Sequence, residues 1–101
     1  MMALNIGDIR TESLNIQVGG VDTDPTTLTL YVRKPGVAYT TSIYNQGGQT
    51  YTIVKDSVGD YHVDITIDTA GIWHGEWVST GPGAGSEEFR FRVREQKTRG
   101  A

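Results

Sequence analysis

Residues 60–67 read Asp-Tyr-His-Val-Asp-Ile-Thr-Ile, and this stretch decides the fold. Apolar and polar side chains alternate along it, which places one row of side chains in a core and the other row in water. The apolar residues are β-branched or aromatic, as suits a pleated, half-buried surface. The stretch therefore predicts a β-strand with its apolar row at Tyr61, Val63, Ile65 and Ile67.

The same alternation recurs along the chain and predicts an all-β fold. Alternating strands are expected at 14–18, 28–33 and 89–94, further strands at 51–55 and 72–79, and a weaker one at 38–44. Segments rich in Gly, Pro, Asp and Asn separate them, and these residues favour turns. No stretch has helical periodicity. About seven short strands at this spacing indicate an antiparallel, immunoglobulin-like β-sandwich.

Length and composition favour one domain, which we place at residues 1–95, followed by a flexible polar tail at 96–101. The chain has 101 residues, a net charge of −3 and no cysteine. We expect no membrane segment and no signal peptide, because no apolar run is long enough. Nucleic-acid binding usually needs a basic surface, and the arginines of 90–99 are mixed with glutamates, so no nucleic-acid partner is expected.

Side-chain parity predicts the core. Trp73 and Trp77 should face inward on either side of Gly75, where another group can approach closely. Tyr61 should bury its ring and direct its hydroxyl at a backbone group, as in a tyrosine corner. The full predicted core is Leu14, Ile16, Leu28, Leu30, Val32, Tyr61, Val63, Ile65, Trp73, Trp77, Phe89 and Phe91.

Candidate catalytic and metal-binding groups do not converge in the sequence. His62 and His74, with Asp64 or Glu76, could suggest a metal site or a general base, but their parity makes them solvated surface residues. Carboxylates in the loops could bind calcium, although turn hydrogen bonding explains them more simply. We therefore predict no cofactor, no metal and no enzymatic activity. The loop carboxylates are Asp22, Asp24, Asp56, Asp60 and Asp68.

Possible partner contacts are tyrosines and the glycine-rich loop of residues 79–86. Exposed tyrosines suit interfaces because a rigid ring gives a large contact area, although packing across strands explains them equally well. The loop lacks a lysine and a following helix, so it is no phosphate cradle, and it either contacts a partner or simply connects strands. The residues assigned to partner contact are Tyr31, Tyr39, Tyr44, Gly83 and Gly85.

Residues 7–95 resemble small Ig-like proteins of tailed-phage virions. Besides the opening Gly7-Asp8, three pieces carry the resemblance: Asp24–Gly36, reading DPTTLTLYVRKPG; Lys55–Gly71, with a D-x-x-G-x-Y core; and Gly71–Trp77, reading GIWHGEW. The resemblance implies a virion structural protein without catalytic residues, made in the cytoplasm of the host bacterium. It also implies a homo-oligomer, with a trimer as the usual state.

Within that class we expect a capsid decoration or cement protein bound to the assembled shell of the major capsid protein. A head–tail connector, neck or tail accessory protein, bound near the portal, is the nearest alternative. A carbohydrate- or surface-binding β-sandwich module is the alternative of another class. It would require tryptophan and tyrosine rings exposed as a stacking platform.

Overall fold

The fold consists of antiparallel β-strands, and residues 4–94, which the computed structural model describes, contain no helix. The predicted tail at 96–101 lies outside the described residues. No helix that could span a membrane was found among the described residues. The strands are β1 (Ile9–Asn15), β2 (Gln17–Val18), β3 (Val21–Asp22), β4 (Thr27–Arg33), β5 (Thr40–Ile43), β6 (Ile53–Ser57), β7 (Asp60–Thr66), β8 (Gly71–Thr80) and β9 (Gly85–Val93).

The longer strands form two sheets. One sheet has the strand order β1-β7-β6 and the other has the order β5-β4-β8-β9, while β2 and β3 form a small separate hairpin. Pairing is antiparallel throughout the named strands, with Leu14 opposite Tyr61 in the first sheet and Leu30 opposite Trp77 in the second. The prediction of antiparallel strands is confirmed.

The hydrophobic core contains side chains from both sheets, so the two sheets share one interior. Eleven of the twelve predicted core residues are buried, and Tyr51, Ile53, Ile67 and Val93 join them. The exception is Phe89, which is only partly buried and packs against the margin of the core. It lies on an edge strand, where parity decides the side of the sheet but not the depth of burial.

Several boundaries differ from the predicted ones. Val18 does not continue the inward row of Leu14 and Ile16, because β1 ends at Asn15 and the next hairpin carries Val18 to the surface, where it is 47% exposed. β6 begins at Ile53 and extends to Ser57 through a register irregularity. Residues 56 and 57, predicted as turn, therefore belong to the strand.

The segment before β1 connects both sheets. Leu4 forms a parallel bridge with Val93 at the end of β9, and its carbonyl accepts a 2.9 Å hydrogen bond from the Arg94 amide. Gly7 then donates to Ile67 at the end of β7. The segment thus pairs with the end of edge strand β9 before the chain enters the other sheet, and part of an otherwise unpaired strand edge is covered.

Candidate interaction surface

A hydrogen-bond network centred on Asp24 fixes the loops at one end of the molecule. Oδ1 of Asp24 accepts hydrogen bonds from the Gly59 amide and the Tyr61 hydroxyl, both at 2.9 Å, and Oδ2 accepts one from Lys55 Nζ at 2.6 Å. The network, which we call the Asp24 network, joins the segment before β4 to the β6–β7 hairpin. It binds two parts of the chain that are more than 30 residues apart in sequence.

The network perturbs the titration of its members. The Lys55 ammonium, followed by the Gly59 amide and the Tyr61 hydroxyl, lowers the pKa of Asp24 to about 2. Burial raises the pKa of Tyr61, and its hydrogen bond to Asp24 raises it further. The Tyr61 hydroxyl had been expected to meet a backbone group. Its partner is instead a carboxylate, which is a stronger acceptor.

Gly59 allows the backbone of the β6–β7 turn to approach the backbone at Ile16 and Thr23 closely. Its φ is +77°, in the left-handed region that favours glycine. A Cβ at Gly59 would lie 2.7 Å from the carbonyl oxygen of Ile16 and 2.8 Å from the amide nitrogen of Thr23. The Gly59 carbonyl itself accepts a 2.8 Å hydrogen bond from the Ile16 amide. Only glycine satisfies both the dihedral angle and the close approach.

The other loop carboxylates also accept hydrogen bonds from the chain. Gln17 and then Asn15 lower the pKa of Asp22, to which both side-chain amides donate. Lys34 lowers the pKa of Asp68 through a 2.7 Å contact. Among residues 4–94 no group of three or more potential metal ligands was found.

The two histidines lie on the outward faces of different sheets. His62 Nδ1 is 2.7 Å from Asp56 Oδ2, and its Nε2 is 4.0 Å from Asp64 Oδ2. Asp56 raises the pKa of His62 by this hydrogen bond, with a smaller contribution from Asp64. His74 lies on β8 between Arg33 of β4 and Arg90 of β9. The two histidines therefore do not share a site.

The tryptophans belong to the interior. Trp73 is fully buried and donates from Nε1 to the Thr69 carbonyl at 2.9 Å, and Trp77 is 3% exposed. Trp73 stacks on Phe91, which in turn stacks on Phe89 with an interplanar angle of 4°. Since neither indole is at the surface, the tryptophans cannot form a stacking platform for a sugar.

The Phe89 ring occupies the space left by Gly75. A Cβ at Gly75 would lie 2.1 Å from Phe89 Cζ, so the expected close approach at Gly75 is made by an aromatic ring of the neighbouring strand. The two residues are direct partners in the β8–β9 register.

The five residues predicted to contact a partner differ from one another in exposure. Tyr39 is 62% exposed, and Tyr31 packs against it edge-on at 6.3 Å. Tyr44 is half-buried and packs on Tyr61 of the core. Gly83 is also half-buried: its carbonyl accepts a hydrogen bond from Ser79 Oγ, and a Cβ on it would meet Ile16. Gly85 is exposed at the start of β9. Tyr39 and Gly85 are therefore exposed, whereas Tyr31, like Tyr44 and Gly83, is half-buried.

The outward face of the four-stranded sheet, which we call the outer face, was not recognised from the sequence. The strand registers bring its charged residues into two neighbouring rows. One row crosses the sheet at Arg33, His74 and Arg90, and the next crosses it at Tyr31, Glu76 and Glu88. Arg33 also lies over the Tyr39 ring at 5.9 Å. The alternation of each strand could be read from sequence, but these lateral neighbours depend on the registers between strands.

The outer face has apolar residues on both sides of its charged rows. Ile72, which is 46% exposed, and half-buried Val78 occupy the corresponding positions on β8. Within residues 4–94, neither the arginines nor the glutamates of these rows form a salt bridge. The arrangement provides a flat surface of charged and apolar groups suited to protein contact.

Comparison with known proteins found no match to a protein family, a curated protein or a solved structure.

Proposed function

We propose that this chain is an Ig-like β-sandwich that acts as a non-enzymatic structural protein of a tailed-phage particle. Within that role we favour a decoration protein that binds the assembled shell of the major capsid protein. After synthesis in the bacterial cytoplasm it would be located in the virion. The division of the seven longer strands between two antiparallel sheets supports a sandwich of this general kind. The strand order differs from that of the constant-type Ig fold, because β4, the second long strand, lies between β5 and β8 and not in the sheet of β1, β6 and β7.

The observation that carries the proposal is that the three sequence pieces on which the resemblance rests contact one another. Asp24 of the first piece accepts hydrogen bonds from three residues of the second, Lys55, Gly59 and Tyr61. A Cβ at Gly71, where the second and third pieces meet, would lie 2.7 Å from Pro35 Cγ of the first. The shared motifs therefore specify one connected framework.

Two features depart from the antibody type of this fold. The chain has no cysteine, so the two sheets are held by packing without an inter-sheet disulfide. Its buried tyrosine hydroxyl bonds to an aspartate of a neighbouring loop and not to the backbone. The first of these features is compatible with a small module made in a reducing compartment.

A decoration protein stabilises a shell by binding the assembled state in preference to free subunits. Each copy needs only a modest interface because many copies act together on one particle. Exposed positions outside the charged rows, such as Tyr39 and Gly85, are candidates for this contact. No observation favours the carbohydrate-binding alternative, since both indoles are buried and the Tyr31 and Tyr39 rings are nearly perpendicular, at 81°.

The test is the number of copies per particle. Particles purified from the source that encodes this chain would be analysed by quantitative mass spectrometry, with the major capsid protein as the reference. A copy number comparable to that of the major capsid protein supports decoration. A copy number that matches one ring of subunits per particle would favour the neck or connector role instead. Absence of the chain from particles would refute both the decoration role and the connector role.

A second measurement addresses the stabilising role. Particles lacking the chain should release their DNA at a lower temperature than complete particles, and adding the purified protein back should restore the higher temperature. Bovine serum albumin at the same concentration is the control for nonspecific protein addition. Restoration without any stoichiometric binding to the particles would contradict the cement mechanism.

A further inference from the structure

The outer face carries two glutamates in direct lateral contact positions and two arginines on either side of a histidine. Glu76 and Glu88 are direct partners across β8 and β9, and His74 has Arg33 on one side and Arg90 on the other. Like charges directly opposite each other destabilise a sheet. Opposite charges on diagonal positions are about 7 Å away, within reach of long side chains, but within residues 4–94 these residues form no salt bridge with one another. An isolated molecule therefore has a row of basic groups beside a row of acidic groups, and neither row is neutralised by lateral neighbours.

The pattern is complementary to itself. On β8 the outward residues read Ile72, His74, Glu76 and Val78, that is, apolar, basic, acidic and apolar. Reversing the direction of the strand exchanges the basic position with the acidic one and exchanges the two apolar positions. A second copy turned by 180° about an axis across the strands would therefore place each residue opposite a complementary one.

Within the two charged rows the neighbouring strands follow the same rule about the same axis, whereas outside these rows Arg92 of β9 would face Ser86. On β9, Glu88 would face Arg90 of the second copy, and Arg90 would face its Glu88. On β4, Tyr31 would face the guanidinium of Arg33, which is a favourable cation–π arrangement. Since each of these residues lies in one of the two rows fixed by the registers, one axis produces all of these pairs at once.

We propose that two copies of this chain associate through their outer faces about a two-fold axis running between the two charged rows. In such an interface residue i contacts residue j and residue j contacts residue i, which is the defining property of an isologous contact. The proposal does not rest on the virion role. It differs from the three-fold association that the family resemblance implies.

The size of the face sets the expected affinity. Four strands about 4.8 Å apart and four rows about 6.8 Å apart give a face of roughly 400–500 Å² on each copy. The two copies together would bury about 800–1,000 Å², close to the lower limit for a specific interface. The dimer should therefore be weak, with a dissociation constant of tens to hundreds of micromolar, on the order expected of small transient interfaces. Salt should weaken it further.

The experiment is sedimentation velocity on the full chain, from about 1 µM to about 1 mM, at low and high salt. The wild type should reach a species of twice 11.1 kDa at high concentration. Glu88→Arg places two positive charges on β9 and Arg90→Glu places two negative charges there. Each variant alone should self-associate at least about 10-fold more weakly, because like charges would then face each other.

Mixing the two variants gives the decisive result. Glu88→Arg and Arg90→Glu should bind each other at least as well as the wild type binds itself, and the double variant should regain self-association. Asp64→Arg, which makes the same charge change on the other sheet, is the matched control and should dimerise normally. Circular dichroism and the melting temperature of each variant would establish that it is folded.

Three outcomes would overturn the proposal. The first is a wild type that stays monomeric up to about 1 mM at low salt, since the expected affinity lies well within that range. The second is a trimer or a larger assembly. The third is a dimer that neither charge reversal weakens, or two variants that fail to bind each other, because the contact would then lie elsewhere.

Discussion

Replacing Gly75 by alanine tests whether the partly buried Phe89 ring contributes to the stability of the molecule. The added methyl group would lie 2.1 to 2.5 Å from three carbons of the Phe89 ring. Such distances are far below van der Waals contact, so one of the two groups must move. Gly75 lies on the central strand β8, whereas Phe89 lies on the edge strand β9, and the ring is therefore the group that leaves.

The magnitude follows from two opposing contributions. Removing a fully buried phenylalanine side chain costs about 3–5 kcal/mol, so displacing the partly buried Phe89 ring should cost about 2 kcal/mol. Alanine is favoured over glycine inside a strand by about 0.5–1 kcal/mol. Gly75→Ala should therefore destabilise the protein by about 1–1.5 kcal/mol, which lowers the melting temperature of a domain of this size by roughly 5–10 °C.

The double variant makes the reasoning testable. Once Phe89→Ala has removed the ring, Gly75→Ala meets no obstacle and should stabilise the protein by about 0.5–1 kcal/mol. The same substitution thus changes sign with the background, which corresponds to a coupling energy of about 2 kcal/mol. Urea unfolding followed by tryptophan fluorescence gives the four free energies of the cycle. Gly85→Ala, where a Cβ would meet nothing within 4 Å, is the control and should be nearly neutral.

The explanation fails if Gly75→Ala is as harmless as Gly85→Ala in the wild-type background. It also fails if Phe89→Ala costs the same free energy with glycine or alanine at position 75. Either result would mean that the ring and the glycine do not share the same space.

Three further predictions concern the loops and the core. Gly59→Ala should destabilise the protein by more than about 2 kcal/mol, because the added methyl group would also clash with the backbone. Gly48 also has a positive φ but no described atom within 4 Å of an added Cβ, so Gly48→Ala should cost only about 1 kcal/mol. Equal losses of stability in urea unfolding would contradict the close backbone approach at Gly59. Because the pKa of Asp24 falls from 3.8 to about 2 on folding, its stabilising contribution is complete above about pH 4 and is lost as the pH falls towards 2. The melting temperature of Asp24→Asn should therefore lie below that of the wild type at neutral pH and approach it near pH 2. A difference that stays constant over this range would contradict the explanation. Ser42→Ala should be neutral or stabilise by about 1 kcal/mol, because the buried Ser42 hydroxyl has no hydrogen-bond partner within residues 4–94. A clear loss of stability on thermal unfolding would indicate a partner for that hydroxyl.

Strand positions and the side of each strand were largely predictable because alternation is a local property. The row Tyr61, Val63, Ile65 is buried as the sequence indicates, since burial on one face is imposed residue by residue. Depth is different. Val18 and Phe89 follow the same alternation, yet one ends in a surface hairpin and the other lies at the margin of the core. Their depth depends on where the neighbouring strands end.

The Asp24 network was not predicted because its members are distant in sequence. Lys55 and Tyr61 are 31 and 37 residues from Asp24, and an aspartate before a proline is equally consistent with an ordinary turn. Gly59 alone carried a usable signal, since a glycine in a tight hairpin suggests a positive φ. That signal identified the turn but not the carboxylate that caps it.

The complementarity of the outer face was also missed because it depends on residues that are distant in sequence. The sequence of β8 alone contains the order Ile72, His74, Glu76, Val78, which alternation reads only as an exposed row. The order becomes a possible interface because the β8–β9 register places Glu88 beside Glu76 and Arg90 beside His74. A shift of that register by two residues would put Arg90 beside Glu76 and allow this pair to be neutralised within one molecule. Because the observed register instead places Glu88 beside Glu76, the charge-reversal pair on β9 tests the proposed association most directly.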